Sequence, residues 1–163
     1  MRIFKRVTLV VSVLLTCVGF DQGTKALAGK YLAGAPLISL LGDTVRLQYS
    51  ENPGAMLGIG SRLPETVRLW AFIVVIIVLA VLLLSILRDE TPGYGPAVAL
   101  SFVLGGGVSN LLDRVFNQGA VVDFMNIGLA NIRTGIFNVA DVAILGGVAF
   151  YLLHHLYYAG RDQ

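Results

Sequence analysis

Apolar and polar positions along this chain are arranged in long blocks, not in short periods. Four stretches carry no charge. They run from Val7 to Phe20, between Arg68 and Arg88, between Glu90 and Asp113, and between Asp141 and Arg161. A helix needs about 20 apolar residues to cross a bilayer core, with a range of roughly 17–25. The last three stretches meet that length. The first meets it once the polar turn Asp21–Lys25 continues the helix. The pattern predicts an all-α membrane protein with four transmembrane helices, at about 7–25, 69–87, 94–112 and 139–158 of one 1–163 domain.

Between the first two spans the pattern changes period. Leu37–Leu41 and Thr44–Tyr49 flank Gly42-Asp43, and Thr44–Tyr49 alternates polar with apolar. Alternation around a Gly-Asp turn is a hairpin signal, so a small sheet is expected outside the bilayer. Pro64 followed by Glu65 marks the start of the second helix. Between the third and fourth spans, Ala120-Val121-Val122 is a short apolar run leading to Asp123, which reads as a loop acid.

Composition agrees with a lipid-covered surface. The chain is 56% hydrophobic and 13% charged, against about 25% charged in soluble domains. The net charge of +2 and the lack of a basic tract give no footprint for nucleic acid. Cys17 is the only cysteine, so an intrachain disulfide or thiolate metal cage is excluded. Arg2, Lys5 and Arg6 ahead of Val7–Phe20 imitate a secretory signal. Thr16 before Cys17 is a poor fit to a cleavage box, so the run reads as a retained first span. Basic residues are denser on the terminal side: Arg2, Lys5, Arg6, Arg88 and Arg161 fall there. Both termini are therefore expected in the cytoplasm.

The polar residues inside this frame are not scattered. Asp21, Lys25, Asn52, Asn110, Asp113, Arg114, Asp123, Asn138 and Asp141 all fall near the outer ends of the spans. Ionisable groups at that depth are costly unless paired or functional. Gly106, Asn110 and Asp113 share one helix face, as do Asn138 and Asp141. Packing accounts for Gly105-Gly106-Gly107, and capping accounts for Asn138 and Asp141 taken alone. Two carboxylates on one side, Asp123 and Asp141, add a further option. Neighbouring carboxyls cannot both ionise cheaply, so one keeps a proton and the other can act as a base. No Ser-His pair competes. His154 and His155 lie at the opposite end of the last span, beside Tyr157 and Tyr158.

Five blocks, Asp21-Gln22-Gly23-Thr24-Lys25, Asn52-Pro53-Gly54-Ala55, Gly105 to Arg114, Val122-Asp123-Phe124 and Phe137-Asn138-Val139-Ala140-Asp141, resemble the motifs of bacterial lipoprotein signal peptidases (signal peptidase II, aspartic protease family A8) in order and near spacing. The resemblance covers essentially the whole chain. It implies an aspartic endopeptidase that removes signal peptides from diacylglyceryl-modified prolipoproteins, cutting before the lipidated cysteine. Asp123 and Asp141 take the catalytic positions. Asp21, Lys25, Asn52, Gly54, Asn110, Asp113, Arg114 and Asn138 take binding or supporting ones. It further implies a multi-pass protein of the bacterial inner membrane, a site and small sheet at the periplasmic face, lipidated prolipoprotein and membrane lipid as partners, a monomer, and no cofactor or metal. Two positions depart from the pattern: Ser109, where glycine is usual, and Val142, where serine or another small residue is common. Ser109 is expected to pack much as glycine does. The competing readings are a polytopic transporter and a metal-dependent lipid phosphotransferase, both of which also use clustered acids.

Overall fold

The computed structural model describes residues 2–54, 62–88 and 94–159. Ala55 and Arg161 lie outside the described residues. The elements in chain order are α1 (Arg2–Tyr31), β1 (Ile38–Leu40), β2 (Val45–Asn52), α2 (Glu65–Arg88), α3 (Tyr94–Phe116), β3 (Val121–Leu129), β4 (Ile132–Arg133) and α4 (Val139–Ala159). All four helices are long and apolar enough to cross a membrane. At 1.5 Å per residue α1 reaches about 45 Å, well beyond a bilayer core of about 30 Å. Its last turns therefore stand clear of the hydrocarbon, and Gly29 there lies against the Tyr49 ring of β2.

Helix α3 is the hub, and its three consecutive glycines show why. Successive residues on a helix turn by about 100°, so three in a row face three directions. A Cβ at Gly105 would lie 2.8 Å from Cβ of Cys17 in α1. One at Gly106 would lie 2.5 Å from the Ala140 carbonyl oxygen of α4, and one at Gly107 would lie 2.5 Å from Ile76 of α2. Each glycine admits a different neighbour, which is how small residues bring membrane helices close. Cys17 is thus a small buried packing residue. Near the other end of α3, Val10, Leu83, Ala97 and Leu104 form an apolar cluster joining α1, α2 and α3. Leu83 is the one buried side chain along α2; Ile76, Leu79, Ala80, Ile86 and Leu87 pack half-buried against this cluster, and Trp70, Val74, Val75, Ile77 and Val78 are exposed. Helices α2 and α4 both pack on α3 but barely touch each other.

The sheet has four antiparallel strands in the order β1-β2-β3-β4. The β1–β2 hairpin forms where alternation and Gly42-Asp43 place it. The other half corrects the sequence reading. Asp123 is not in a loop: it sits inside the nine-residue strand β3, opposite Ser50 of β2. The apolar run Val121-Val122 is the first part of that strand. Too few apolar residues precede Asp123 to reveal a strand by alternation, and pairing with β2 supplies the order that local sequence lacks.

Candidate active site

The start of α4 builds half of the site. Asn138 precedes the first helical residue, and its side-chain oxygen accepts the Asp141 amide at 2.9 Å. In return the Asp141 carboxylate accepts the Asn138 amide at 3.2 Å. This reciprocal pair is a capping box, so the capping reading of both residues holds. Capping does not exhaust them, because the remaining polar atoms point away from the helix. The Asn138 amide nitrogen donates to Asp123 Oδ1 at 2.7 Å and to Asn110 Oδ1 at 3.1 Å. The Asn110 amide nitrogen donates to Asp141 Oδ1 at 3.1 Å. Asn138 therefore touches both acids, one through its side chain and one through its backbone.

Strand β3 brings the other half. Asp123 is 2% exposed, and its Oδ2 accepts the Asn52 amide at 3.0 Å. Asn52 is oriented for this because its own oxygen accepts the Gly54 amide at 2.9 Å. Burial pushes the Asp123 carboxyl up to about 6, aided by the charge of Asp141. Hydrogen bonds from Asn52 and Asn138 and the charge of Lys25 oppose the rise without cancelling it. Because the acids are coupled, the retained proton belongs to the pair.

Beneath these acids lies a second, charge-balanced layer. Lys25 contacts Asp21 at 2.7 Å, Asp113 at 2.9 Å and Asn110 Oδ1 at 2.8 Å, which uses its three protons. Asp21, fully buried, also accepts the Ala140 amide of α4 at 2.7 Å. A carboxylate from α1 thus caps α4, where the helix dipole favours negative charge. Asp113 accepts the Val122 amide at 3.0 Å and so anchors the start of β3. Among the described residues Arg114 pairs with no carboxylate. It donates to the carbonyls of Asn110 and Gly54 at 2.8 and 2.7 Å and stacks 3.6 Å from the Phe72 ring centroid. Asp21, Asp113, Lys25 and Arg114 sum to zero, so the one net charge left to settle is that of the Asp123–Asp141 pair.

All the site residues read from the sequence converge here. Two others were missed. Gln22 donates to Asp113 at 2.7 Å and to Ser109 Oγ at 3.0 Å. Phe72 supplies the face on which Arg114 lies. Gln22 sits inside the first motif block, which was a usable signal; Phe72 is one apolar residue in a run of them. The expectation for Ser109 was wrong. Fully buried, its hydroxyl donates to Asp21 Oδ2 at 2.7 Å while accepting from Gln22. Ser109→Gly is expected to lower stability by about 1–3 kcal/mol, because it strips buried Asp21 and Gln22 of a partner. Thermal unfolding in detergent micelles measures it. Val142 is half exposed and lines the cavity next to Asp141.

A cavity of about 890 Å³ opens over the acids. Asn52, Asn110, Arg114, Asp123 and Asp141 form its polar end. Its walls are apolar, from Phe72 to Leu79 on α2 and from Val142 to Ala149 on α4. Because α2 and α4 barely meet, the apolar part faces the gap between them. His154 and His155 lie at the far end of α4, among Tyr151 and Tyr158. Among the described residues no three His, Cys, Asp or Glu side chains converge as a metal site.

Comparison with known proteins gives one consistent match. Residues 13–157 match the family described as signal peptidase (SPase) II. A lipoprotein signal peptidase of Brevibacillus brevis is 39% identical over 137 residues, covering 83% of this chain and 87% of the relative. One from Leifsonia xyli is 34% identical over 161 residues, covering 94% and 70%. The fold resembles a solved bacterial membrane enzyme with a TM-score of 0.78 at 23% identity, covering 94% of this chain and 91% of that one.

Proposed function

Because this chain belongs to the signal peptidase II family, whose aspartic proteases remove signal peptides from prolipoproteins, we propose that Asp123 and Asp141 form its catalytic pair. The observation that carries this reading is Asn138, which holds both carboxylates at the polar end of one lipid-facing cavity. With one proton between them, the ionised member takes a proton from a water as that water attacks the scissile carbonyl. The protonated member donates to the carbonyl oxygen. The tetrahedral adduct collapses when a proton passes to the leaving amine and the C–N bond breaks, with no covalent enzyme intermediate.

The substrate is a prolipoprotein carrying a diacylglyceryl-modified cysteine, cut on the amino side of that cysteine. The gap between α2 and α4 supports lateral entry. Acyl chains then lie against apolar walls, where each buried methylene contributes about 0.8 kcal/mol. Arg114, held over Phe72, gives the cavity a fixed cation near the cleavage point. Lys25, Asp21, Asp113, Ser109 and Gln22 hold the helices that present the pair. Along α1, Asp21 stands about 22 Å from Arg6, which sets the reaction near the far leaflet. With both termini cytoplasmic, that leaflet faces the periplasm of a bacterial inner membrane, and the monomer is complete. The transporter reading fits less well, because the polar side chains gather at one end and α2 is apolar throughout its membrane length. A phosphotransferase reading fits less well too, because among the described residues no three His, Cys, Asp or Glu side chains converge to hold a metal.

A gel-shift assay tests the proposal. Wild type is expected to shorten lipidated prolipoprotein, unaffected by EDTA, and to leave unlipidated precursor and the Asp123→Asn reaction uncut. Equal cleavage of both precursors would overturn the lipid requirement, and turnover by Asp123→Asn would overturn the pair.

The buried proton also has a stability signature. An unfolded aspartate titrates near 3.9, whereas Asp123 in the fold does so at about 6. The folded state therefore binds this proton more tightly. Its stabilising contribution is complete below about pH 4 and is lost as pH rises through about 6. Relative to Asp123→Asn, the wild type is expected to lose on the order of 3 kcal/mol across that window and nothing more above it. Unfolding in micelles from pH 4 to 8 reads the difference.

A further inference from the structure

Val142 is the second position at which this chain departs from the family pattern, and its place in the fold gives it a task. It follows Asp141 directly, lines the cavity and is 52% exposed. Its backbone is anchored, because its amide donates to the Asn138 carbonyl at 3.4 Å at the start of α4. Its side chain is anchored as well, since valine in a helix keeps one χ1 rotamer in about 90% of cases. The two methyl groups therefore form a rigid wall, one residue from a carboxylate that the capping box already holds.

The α4 side of the cavity changes shape with depth. Val142, Gly146 and Ala149 stand at i, i+4 and i+7, on one helix face, and all three line the cavity. A Cβ at Gly146 would meet no atom within 4 Å, so the wall there is bare backbone beside open space. The cavity is thus narrowed beside the acids and widens about 6 Å deeper, one turn along α4. The two products of the cut leave in different directions. The mature chain leaves into water and the signal peptide into the bilayer, so the segment running down α4 from Asp141 belongs to the signal peptide. Signal peptides join an apolar stretch to small residues at the cleavage site. Large apolar side chains fit the wider part, at Gly146 and Ala149, and the side chain nearest the acids meets Val142.

We infer that Val142 is the specificity-determining wall for the residue immediately before the lipidated cysteine, and that it selects glycine there over alanine and larger side chains. The inference rests on the proposed function, since Asp123 and Asp141 mark the cut. The branched pair of methyl groups takes up the space that a Cβ on that substrate residue needs. Alanine or serine at 142 would leave room for it. Val142 offers no polar side-chain atom, so the selection is by shape alone. In a tight apolar site one methyl group too many costs about tenfold or more in kcat/KM.

Lipidated precursors that differ only in the residue before the cysteine (glycine, alanine or serine) are given to the full-length protein in vesicles. Wild type is expected to favour glycine over alanine by about tenfold in kcat/KM. Val142→Ala and Val142→Ser are expected to abolish most of that preference. Val142→Thr keeps the branched shape, adds a hydroxyl and is expected to retain the preference. An equal ratio in wild type and Val142→Ala overturns the inference. Loss of the preference in Val142→Thr overturns it too, because polarity would then be the cause. A cross-link tests the placement without catalysis. Val142→Cys, combined with Cys17→Ala and Asp123→Asn, is mixed with lipidated precursor carrying a free cysteine either immediately before the lipidated one or well inside the apolar stretch. Copper–phenanthroline is expected to join the first precursor to the protein and not the second. A cross-link to the second alone, or to neither, overturns the placement. Cross-linking of the first precursor, where wild type cuts no precursor, supports the placement and overturns the catalytic pair instead.

Discussion

Asp141→Asn is expected to insert and fold, yet to cleave lipidated prolipoprotein at least 10²–10⁴-fold more slowly, the range for losing one positioned proton-transfer group. The fold survives because the asparagine oxygen still accepts the Asn138 amide, so half of the capping box persists. The new amide group faces the Asn110 donor, and Asn110 cannot turn round to offer its oxygen, which already serves Lys25 and Asn138. That mismatch costs about 1–3 kcal/mol, short of unfolding a stable bundle. Chemistry suffers far more, because an amide can neither accept the proton of the attacking water nor share one with Asp123. Single-turnover gel-shift kinetics, with circular dichroism as a control for folding, separate the two effects. Near wild-type turnover would remove Asp141 from the reaction.

The largest stability effect is expected at Lys25. Lys25→Met keeps the length of the side chain and removes the charge that lies between Asp21 and Asp113. Both carboxylates are then buried without a cation, at 0% and 7% exposure, and breaking such a pair costs roughly 3–5 kcal/mol. The loss spreads because Asp21 also caps α4 and Asp113 also holds Val122. A lower melting temperature and reduced accumulation in membranes are the expected readouts. Adding Asp113→Asn to Lys25→Met is expected to restore part of the loss, since one uncompensated charge disappears. An unchanged melting temperature for Lys25→Met would show that the three groups are not coupled.

Much of this was legible in the sequence, for identifiable reasons. Helices that face lipid must be apolar over a bilayer's length, so runs such as Ile73–Leu87 announce themselves. The polar site residues stood out by contrast, since Asn110, Asp113 and Arg114 have no low-cost place in hydrocarbon. Strand β3 did not stand out. Its first residues are buried on both faces, and the alternation that would identify it begins only after Asp123. Ser109 and Gln22 were under-read because a small hydroxyl and an amide look incidental until three helices converge on them. The partners of Lys25 and Arg114 were also hidden: similar charges sit within a few residues of each other, and only packing decides that Lys25 takes both carboxylates while Arg114 takes backbone carbonyls.

The one-turn spacing of Asp21 and Lys25 has a consequence for biogenesis. A nascent chain releases α1 into the bilayer before α3 and α4 exist. Asp21 and Lys25 already neutralise each other within that helix, so this part of the first segment can wait in lipid without a bare charge. Asp113 then arrives with α3 and takes up Lys25, and the backbone amide of Ala140 arrives last and takes the second oxygen of Asp21. The order of synthesis is thus an order of charge compensation, and Asp123 and Asp141, the proposed pair, join only after the scaffold that holds them is electrically closed.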